Sequence, residues 1–328
     1  MPYKKYYIYK EQVSVDMGET WDDTGNRAPS GDSIGEYSTL AECEGKTPCY
    51  DGKCKVTYLD GHVYEVECNN STLVSGETKQ WTRSDRPVNA VIGCCVTSIG
   101  EDAFRGYGLS SVIIPDSVTS IGNGAFAGCG FSSGVTIPDS VTSIGTWSFA
   151  GCNFASITIP NSVVNIGGGS FASCGHLTSV VLPNDVRTIK VQTFEYCTSL
   201  TGITIPSSVL TIEATAFNGC TGMTSVIFGN NVYYIGEAAF YGCSGLREIT
   251  IPSSLRQLGW SAFNSCSGLT SITCLATTPP RIFHPQGVTP DPFYDTNNCP
   301  IYVPAASVNT YKTADGWSRY ASRIQAIP

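Results

Sequence analysis

Seven of the fifteen cysteines in this 328-residue chain, Cys129, Cys152, Cys174, Cys197, Cys220, Cys243 and Cys266, recur every 22 or 23 residues. A regular row of thiols raises three chemistries: metal binding, disulfide formation and packing. Metal sites want Cys-x₂-Cys pairs or clustered histidines, and the three histidines, His62, His176 and His284, lie far apart. Equivalent residues of adjacent repeats stand about 4.8 Å apart and point the same way, whereas a disulfide needs converging Cβ vectors. Free cysteine behaves as a small hydrophobe and is among the most buried residue types. The row is therefore read as a packed apolar stack, with no metal.

Other chemistry is absent from the pattern. There is no Gly-x-Ser-x-Gly elbow, and Gly167-Gly168-Gly169 is followed by no Gly-Lys-Ser/Thr, so it is no phosphate loop. The acidic residues lack a calcium-loop spacing. No catalytic residue and no cofactor is assigned, and the chain is read as a non-enzyme. A net charge of −8 argues against a nucleic-acid partner held through phosphates. No apolar run approaches the ~18 residues of a membrane span. The start, Met1-Pro-Tyr-Lys-Lys, carries charge without a following apolar stretch, so a leader is expected to have been removed unless the protein leaves by another route. Mostly free cysteines fit a reducing or anaerobic setting.

The elements that position the cysteines follow from a repeat. Val96, Val118, Val141, Val163, Val186, Val209, Val232 and Leu255 open eight units. Three places later stands Ile99, Ile121, Ile144, Ile166, Ile189, Ile212, Ile235 or Leu258; five further comes Phe104, Phe126, Phe149, Phe171, Phe194, Phe217, Phe240 or Phe263. Cysteine follows after three more, with Tyr107 in its place in the first unit. An alternating run such as Ile203-Thr204-Ile205-Pro206 reads as a short strand ended by a residue that has no N–H to donate. The glycine after isoleucine suits a bend, but Lys190 and Glu213 interrupt it, so the bend does not require φ > 0. The stretch around Ala-Phe is expected to make one helical or 3₁₀ turn. A period in the twenties is a solenoid signature, each unit stacking only on its neighbours. The predicted fold is a β-dominated repeat solenoid, leucine-rich-repeat-like, with parallel short strands and short helical turns, plus a small N-terminal β module.

Three segments are expected: a β-rich module and linker over 1–90, the solenoid over 91–275, and a C-terminal cap over 276–328. In the module, Ser14-Val-Asp16-Met-Gly18-Glu-Thr20-Trp21 resembles the Asp box of sialidase-type propellers, where the motif is structural. A second hairpin turns at Asp60-Gly61. A two-residue loop there sets Cys54 opposite Glu67; a three-residue loop sets it opposite Cys68, the one register that permits a disulfide. Cys43 and Cys49 carry no constraint. Asn70-Ser-Thr72 matches a glycosylation sequon common by chance. After Cys274 the repeat is expected to fail at Thr277-Thr-Pro279-Pro280, with a Pro-rich loop to Asn298, a last strand at Ile301-Tyr-Val-Pro304, and a helix or pair of short helices bearing Val308, Tyr311, Trp317, Tyr320 and Ile324.

The unit Val-Thr-x-Ile-Gly-x-x-Ala-Phe-x-x-Cys-x-x-Leu-x-x-Ile-x-Ile-Pro-x-Ser resembles the BspA-type leucine-rich repeat over more than half the chain. The tail from Ile301 to Ile324 is similar to the ending common in that family, and Val13 to Trp21 to front modules of gut Bacteroides-like bacteria and their phages. The resemblance implies a surface or secreted protein that binds host matrix proteins or other cells, and it brings no catalytic residue.

What remains for function is the surface. Thr136, Thr158, Thr204, Thr250 and Thr273 are explained by strand preference. Tyr107, Trp147, Tyr196, Tyr233, Tyr234, Tyr241 and Trp260 fall at variable, outward positions, and aromatics are common interface anchors. The ligand-binding patch assigned from sequence is Tyr233, Tyr234, Tyr241 and Trp260. The leading expectation is a binding or adhesion protein presenting the repeat face to a protein or glycan on a host or bacterial surface. The alternatives are a phage fibre or receptor-binding component, and a rigid spacer without a ligand. Location follows the same fork: cell surface or extracellular with a leader, otherwise virion-associated or cytoplasmic.

Overall fold

The computed structural model describes residues 88–93, 96–132, 134–283 and 291–328 in full and, before them, the backbone of short strands between residues 5 and 87. The repeat winds into a parallel β-solenoid whose coil has three sides.

The first side carries the Val-x-x-Ile unit. Ser98–Ile99, Ser120–Ile121, Ser143–Ile144 and Asn165–Ile166 pair in parallel, with Thr72–Leu73 at the end, as one five-stranded sheet. Thr188–Ile189, Thr211–Ile212, Tyr234–Ile235, Gln257–Gly259 and Arg281–Phe283 make a second. Register is one repeat per coil, Ile99 beside Ile121 beside Ile144, and these side chains are buried. The glycine after isoleucine is explained here. A Cβ on Gly145 would lie 2.5 Å from the carbonyl carbon of Gly122, and one on Gly167 2.4 Å from that of Gly145. Close backbone approach, not a positive φ, selects glycine.

The second side carries phenylalanine, and it is not the helical turn expected. Arg105 N–H donates to Asp102 O and Tyr107 N–H to Phe104 O, both at 3.2 Å, as three-residue-back turns. The N–H groups between them leave the coil: Asp102, Phe104 and Gly106 donate to the carbonyls of Asn123, Ala125 and Ala127 at 2.8, 2.7 and 2.7 Å. Left-handed residues enforce this alternation. Two places before phenylalanine stand Asp102, Trp147, Gln192, Thr215, Ala238 and Ser261, with φ between 49° and 59°. Two places after it, Gly106, Gly128, Gly151, Gly219 and Gly242 share the region with Ser173, Tyr196 and Ser265. A left-handed residue costs a non-glycine about 1–2 kcal/mol and cannot continue a right-handed helix. The inter-coil bonds and the rings offset that cost: Phe104 to Phe263 form an unbroken stack with centroids 5.0 to 5.6 Å apart.

The third side holds the alternating strands, among them Ser156–Thr158, Gly202–Thr204 and Glu248–Ile251. In the second of these coils Ile203 and Ile205 are buried, while Thr204 is exposed.

The ladders run on past residue 275. Arg281–Phe283 pairs with Gln257–Gly259, and Ile301–Val303 with Ser271–Cys274. Phe293 stacks on Phe263 at 5.9 Å. Thr296 takes the place of cysteine, fully buried, with its hydroxyl on the carbonyl of Phe293 at 2.8 Å. The tail then closes the end: a helix Val308–Thr313 and 3₁₀ turns Ala305–Ser307 and Ser318–Tyr320 bury Tyr311, Trp317 and Tyr320.

At the other end, Lys53–Tyr58 and Val63–Glu67 form the expected hairpin, but with Cys54 opposite Val66. That is neither of the two registers expected from the turn. Pro87–Val91 pairs antiparallel with Lys53–Tyr58 and parallel with Ser111–Ile113, so the hairpin's sheet is continuous with the third side. Lys5–Tyr9 and Gln12–Asp16 pair as a further hairpin. The Asp-box turn at 17–21, Cys43, Cys49, Cys68 and the sequon's Asn70 lie outside the described residues.

Candidate functional site

The cysteine row is a structural device of a kind not expected from sequence. Each of the seven thiols is free and buried, and each donates to the carbonyl of the phenylalanine one coil back. The distances are 3.3 Å for Cys129 to Phe104, 3.2 Å for Cys152 to Phe126, and 3.1 Å for Cys266 to Phe240. Burial pushes the thiols of Cys129 and Cys174 up to about 12. Burial raises Cys152 as well, with neighbouring thiols adding to it. Protonated, carbonyl-bound thiols are poor nucleophiles. His176 is exposed and in the variable part of its coil, while His62 and His284 lie outside the described residues.

A second polar cluster fastens the tail. The Tyr320 hydroxyl donates to Asp291, whose other oxygen pairs with Arg319 at 3.1 Å. Arg323 reaches the Cys299 carbonyl and the Thr296 hydroxyl, each at 2.8 Å, and lies over the Tyr320 ring at 5.4 Å. Burial first, and then Asp291, raise the phenol of Tyr320. Beneath it, Trp317 Nε1 donates to Pro280 O at 2.8 Å and the Tyr311 hydroxyl to Ala276 O at 2.8 Å. Every strong interaction here joins tail to last coil, which is the work of a cap.

The four aromatics assigned from sequence are distributed over two sides. Tyr233 and Tyr234 belong to the first side, Tyr241 to the phenylalanine side, and Trp260 to the corner between them. Tyr233 and Tyr241 are exposed, at 44% and 41%; Tyr234 and Trp260 are half-buried. Among the described residues no ring contact joins the four. Tyr234 instead stacks on Phe283, centroids 5.4 Å apart, a partner the sequence hid because it lies two coils away. The Trp260 indole nitrogen is buried without a partner among the described residues. Trp147 and Tyr196 stand elsewhere on the phenylalanine side, 41% and 53% exposed. Their rings lie where a Cβ of Gly169 or Gly219 would be, 2.6 and 2.4 Å away. Each aromatic is thus laid flat over the glycine of the next coil, one face to solvent.

Sequence reasoning also missed two grooves, both at interruptions of strand pairing. One, about 580 Å³, lies on the third side between Ser225–Ile227 and Glu248–Ile251, lined by Phe228, Arg247 and the exposed Ile227 and Leu275. The other, about 650 Å³, lies between Asn165–Ile166 and Thr188–Ile189, lined by Val164, Asn165, Asp185, Arg187, Lys190 and Ser208 among others. The sequence signal for the first was Gly229 in the proline place, and for the second Asp185 and Lys190 in the serine and glycine places.

Among the described residues no helix is long and apolar enough to cross a membrane. No curated protein matches this chain. Among solved structures, a leucine-rich repeat protein from Bacteroides ovatus ATCC 8483 is 27% identical, with a TM-score of 0.62 over 92% of this chain and 70% of that one. A leucine-rich repeat protein from Eubacterium ventriosum ATCC 27560 is 24% identical over 66% of this chain and 59% of its own, TM-score 0.45. A leucine rich cell surface protein from Faecalibacterium prausnitzii A2-165 is 20% identical over 83% and 90%, TM-score 0.41. The BspA type leucine rich repeat region matches in six copies over residues 97–224 and 211–283. With its valine, phenylalanine and cysteine ladders and its three-sided parallel coil, the chain belongs to the BspA-type leucine-rich repeat family.

Proposed function

We propose that this protein is a non-catalytic binding or adhesion protein that presents its repeat surface to a protein or glycan on a host or bacterial surface. The observation that supports it best is the set of large aromatics held in solvent on a close-packed frame: Trp147, Tyr196, Tyr233 and Tyr241, each more than 40% exposed. Trp147 and Tyr196 stand at φ 57° and 56°, where most coils place a smaller residue. A large exposed ring at a strained position gains nothing for the core, and rigid aromatics lose little entropy on binding. Of the sequence-assigned set, Tyr233 and Tyr241 are the contact residues; Tyr234 and Trp260 are half-buried, and Tyr234 is stacked on Phe283.

The test is binding of the labelled protein to immobilised fibronectin, fibrinogen and mucin, and to intact Bacteroides-type cells. Saturable binding to matrix or mucin that weakens in a Tyr233→Ala, Tyr241→Ala double variant supports host-directed adhesion. Saturable binding to bacterial cells alone moves the same reading to a cell–cell or particle–cell role. Binding to none of them overturns it.

A further inference from the structure

The solenoid is built from one bond pattern, and on the first side that pattern stops at a single step among the described residues. Across the first side, Val164 N–H donates to Thr142 O at 3.1 Å, and Leu210 N–H to Arg187 O at 2.9 Å. The rung between them, from Arg187 to Val164, is absent among the described residues. Asn165–Ile166 ends one sheet and Thr188–Ile189 begins the next. On the third side Thr201 N–H still donates to Thr178 O at 3.1 Å, although Ser179–Val181 and Gly202–Thr204 fall in separate sheets. The phenylalanine side continues as well, with Phe171 stacked on Phe194 at 5.5 Å.

One residue sets this step apart. In other coils a serine hydroxyl before the ladder valine donates to the valine carbonyl one coil back: Ser117 to Val96, Ser140 to Val118, Ser162 to Val141 and Ser254 to Val232, at 2.6 to 2.7 Å. Asp185 occupies that place here, and an ionised carboxylate has no proton to give a carbonyl. The turn behind it opens too. Val163 and Val209 close theirs on Pro160 and Pro206 at 3.0 Å; Val186 makes no such bond among the described residues. Lys190 also replaces the glycine that lets backbones close up, although Glu213 does so one coil later and pairing survives there. Ser208 makes no such bond among the described residues either, and pairing survives at its step; what is particular to the broken step is the carboxylate of Asp185 in the serine place.

The opened seam is the groove of about 650 Å³, within the range of small-ligand sites. Its walls are hydroxyls and amides (Asn165, Ser207, Ser208, Asn231) around Arg187, with the carboxylate of Asp185 on the same wall. The guanidinium of Arg187 makes no hydrogen bond or ion pair with any described residue, and the side chain is exposed. Ser208 Oγ is buried with no partner among the described residues, having lost the carbonyl that its counterparts reach. Lys190 Nζ is held by Asn165 Oδ1 at 2.6 Å, which places a second cation on the wall. Val164, 60% exposed, adds an apolar patch.

We propose that this seam binds a saccharide bearing a carboxylate. The free guanidinium fork takes the carboxylate two-pronged. The serine and asparagine side chains meet ring hydroxyls, and Val164 meets the apolar edge of the ring. A peptide added as a strand needs a row of unpaired backbone groups, and one broken rung supplies too few. The proposal rests on the reading of the chain as a binding protein, but it is tested apart from any cell.

The experiment is calorimetric titration of the full chain with a galacturonate trisaccharide, the matching neutral galactose trisaccharide and a short Asp/Glu peptide. Uronate is expected to bind at least tenfold more tightly than the neutral sugar or the peptide. Arg187→Ala is expected to abolish that preference with an unchanged melting temperature. Asp185→Ser, which restores the hydroxyl, is expected to close the seam, raise the melting temperature and remove uronate binding. Equal affinity for the neutral sugar, preference for the peptide, uronate binding unaffected by Arg187→Ala, or no binding of any probe overturns the site. Cell or matrix binding that persists in Arg187→Ala leaves the wider function standing in those cases.

Discussion

Cys152 Sγ lies 3.2 Å from the carbonyl oxygen of Phe126 in the preceding coil, and donates to it. The same relation joins Cys174 to Phe149, Cys197 to Phe171, Cys220 to Phe194 and Cys243 to Phe217, each at 3.2 Å. The cysteine row and the phenylalanine stack are therefore one structure. The ring packs against its neighbours while the thiol of the next coil satisfies the carbonyl behind it.

This relation sets the response to alkali. Cys129 and Cys174 hold their protons up to about 12 in the fold, against an ordinary 9.0. A group raised by folding stabilises fully below its unfolded value, and the contribution is lost as pH rises through the folded one. Stability is expected to be flat below pH 9.0 and to fall between there and pH 12 as these two thiols titrate. Equilibrium denaturation from pH 7 to pH 11 checks this; a curve that stays flat to pH 11 contradicts it. Alkylation by iodoacetamide should likewise reach these thiols only at the rate of unfolding.

Phe194 sits mid-stack, 5.5 and 5.4 Å from Phe171 and Phe217. Phe194→Ala leaves a cavity between two coils whose strand ladders are already broken on one flank. The expected cost is about 3–5 kcal/mol, read from denaturant unfolding, with unfolding split into two transitions around this coil. A loss below about 1 kcal/mol means that the phenylalanine side is not what joins the two halves.

Gly167 and Gly106 separate the two uses of glycine. A Cβ on Gly167 meets the Gly145 backbone at 2.4 Å, whereas one on Gly106 meets nothing within 4 Å, at φ +72°. Gly167→Ala is expected to cost about 1–3 kcal/mol by overpacking. Gly106→Ala should cost about 1 kcal/mol from the left-handed backbone alone. Thermal melts of the two variants, ranked, decide the point.

Tyr233 is 44% exposed while Tyr234 is stacked on Phe283. Tyr234→Ala is expected to lower stability by about 1 kcal/mol through the lost ring pair. Tyr233→Ala should stay within roughly 0.5 kcal/mol of the parent and weaken binding to whichever surface the protein adheres to. If both variants melt alike, the stacking carries no weight.

The period, the inward ladders and the fold class were legible in the residues themselves. A coil that repeats every 22 or 23 residues must place Val118, Ile121, Phe126 and Cys129 under their counterparts, because only equivalent positions can stack. The same register made Phe293 and Thr296 part of the array, but the spacing from Phe263 to Phe293 exceeds the usual 22 or 23 residues and hid them. The tertiary structure alone decided three further things. It gave the thiols their carbonyl partners, since a bond spanning about one coil depends on side-chain direction and not on sequence distance. It divided the expected aromatic patch between two sides, since Tyr233 and Tyr241 are separated by a corner whose backbone angles no pattern of residue types states. It placed Asp185, one variable residue among many, at the broken rung of a seam. Whether a substitution is silent or opens a groove depends on what its neighbour one coil back was waiting to accept.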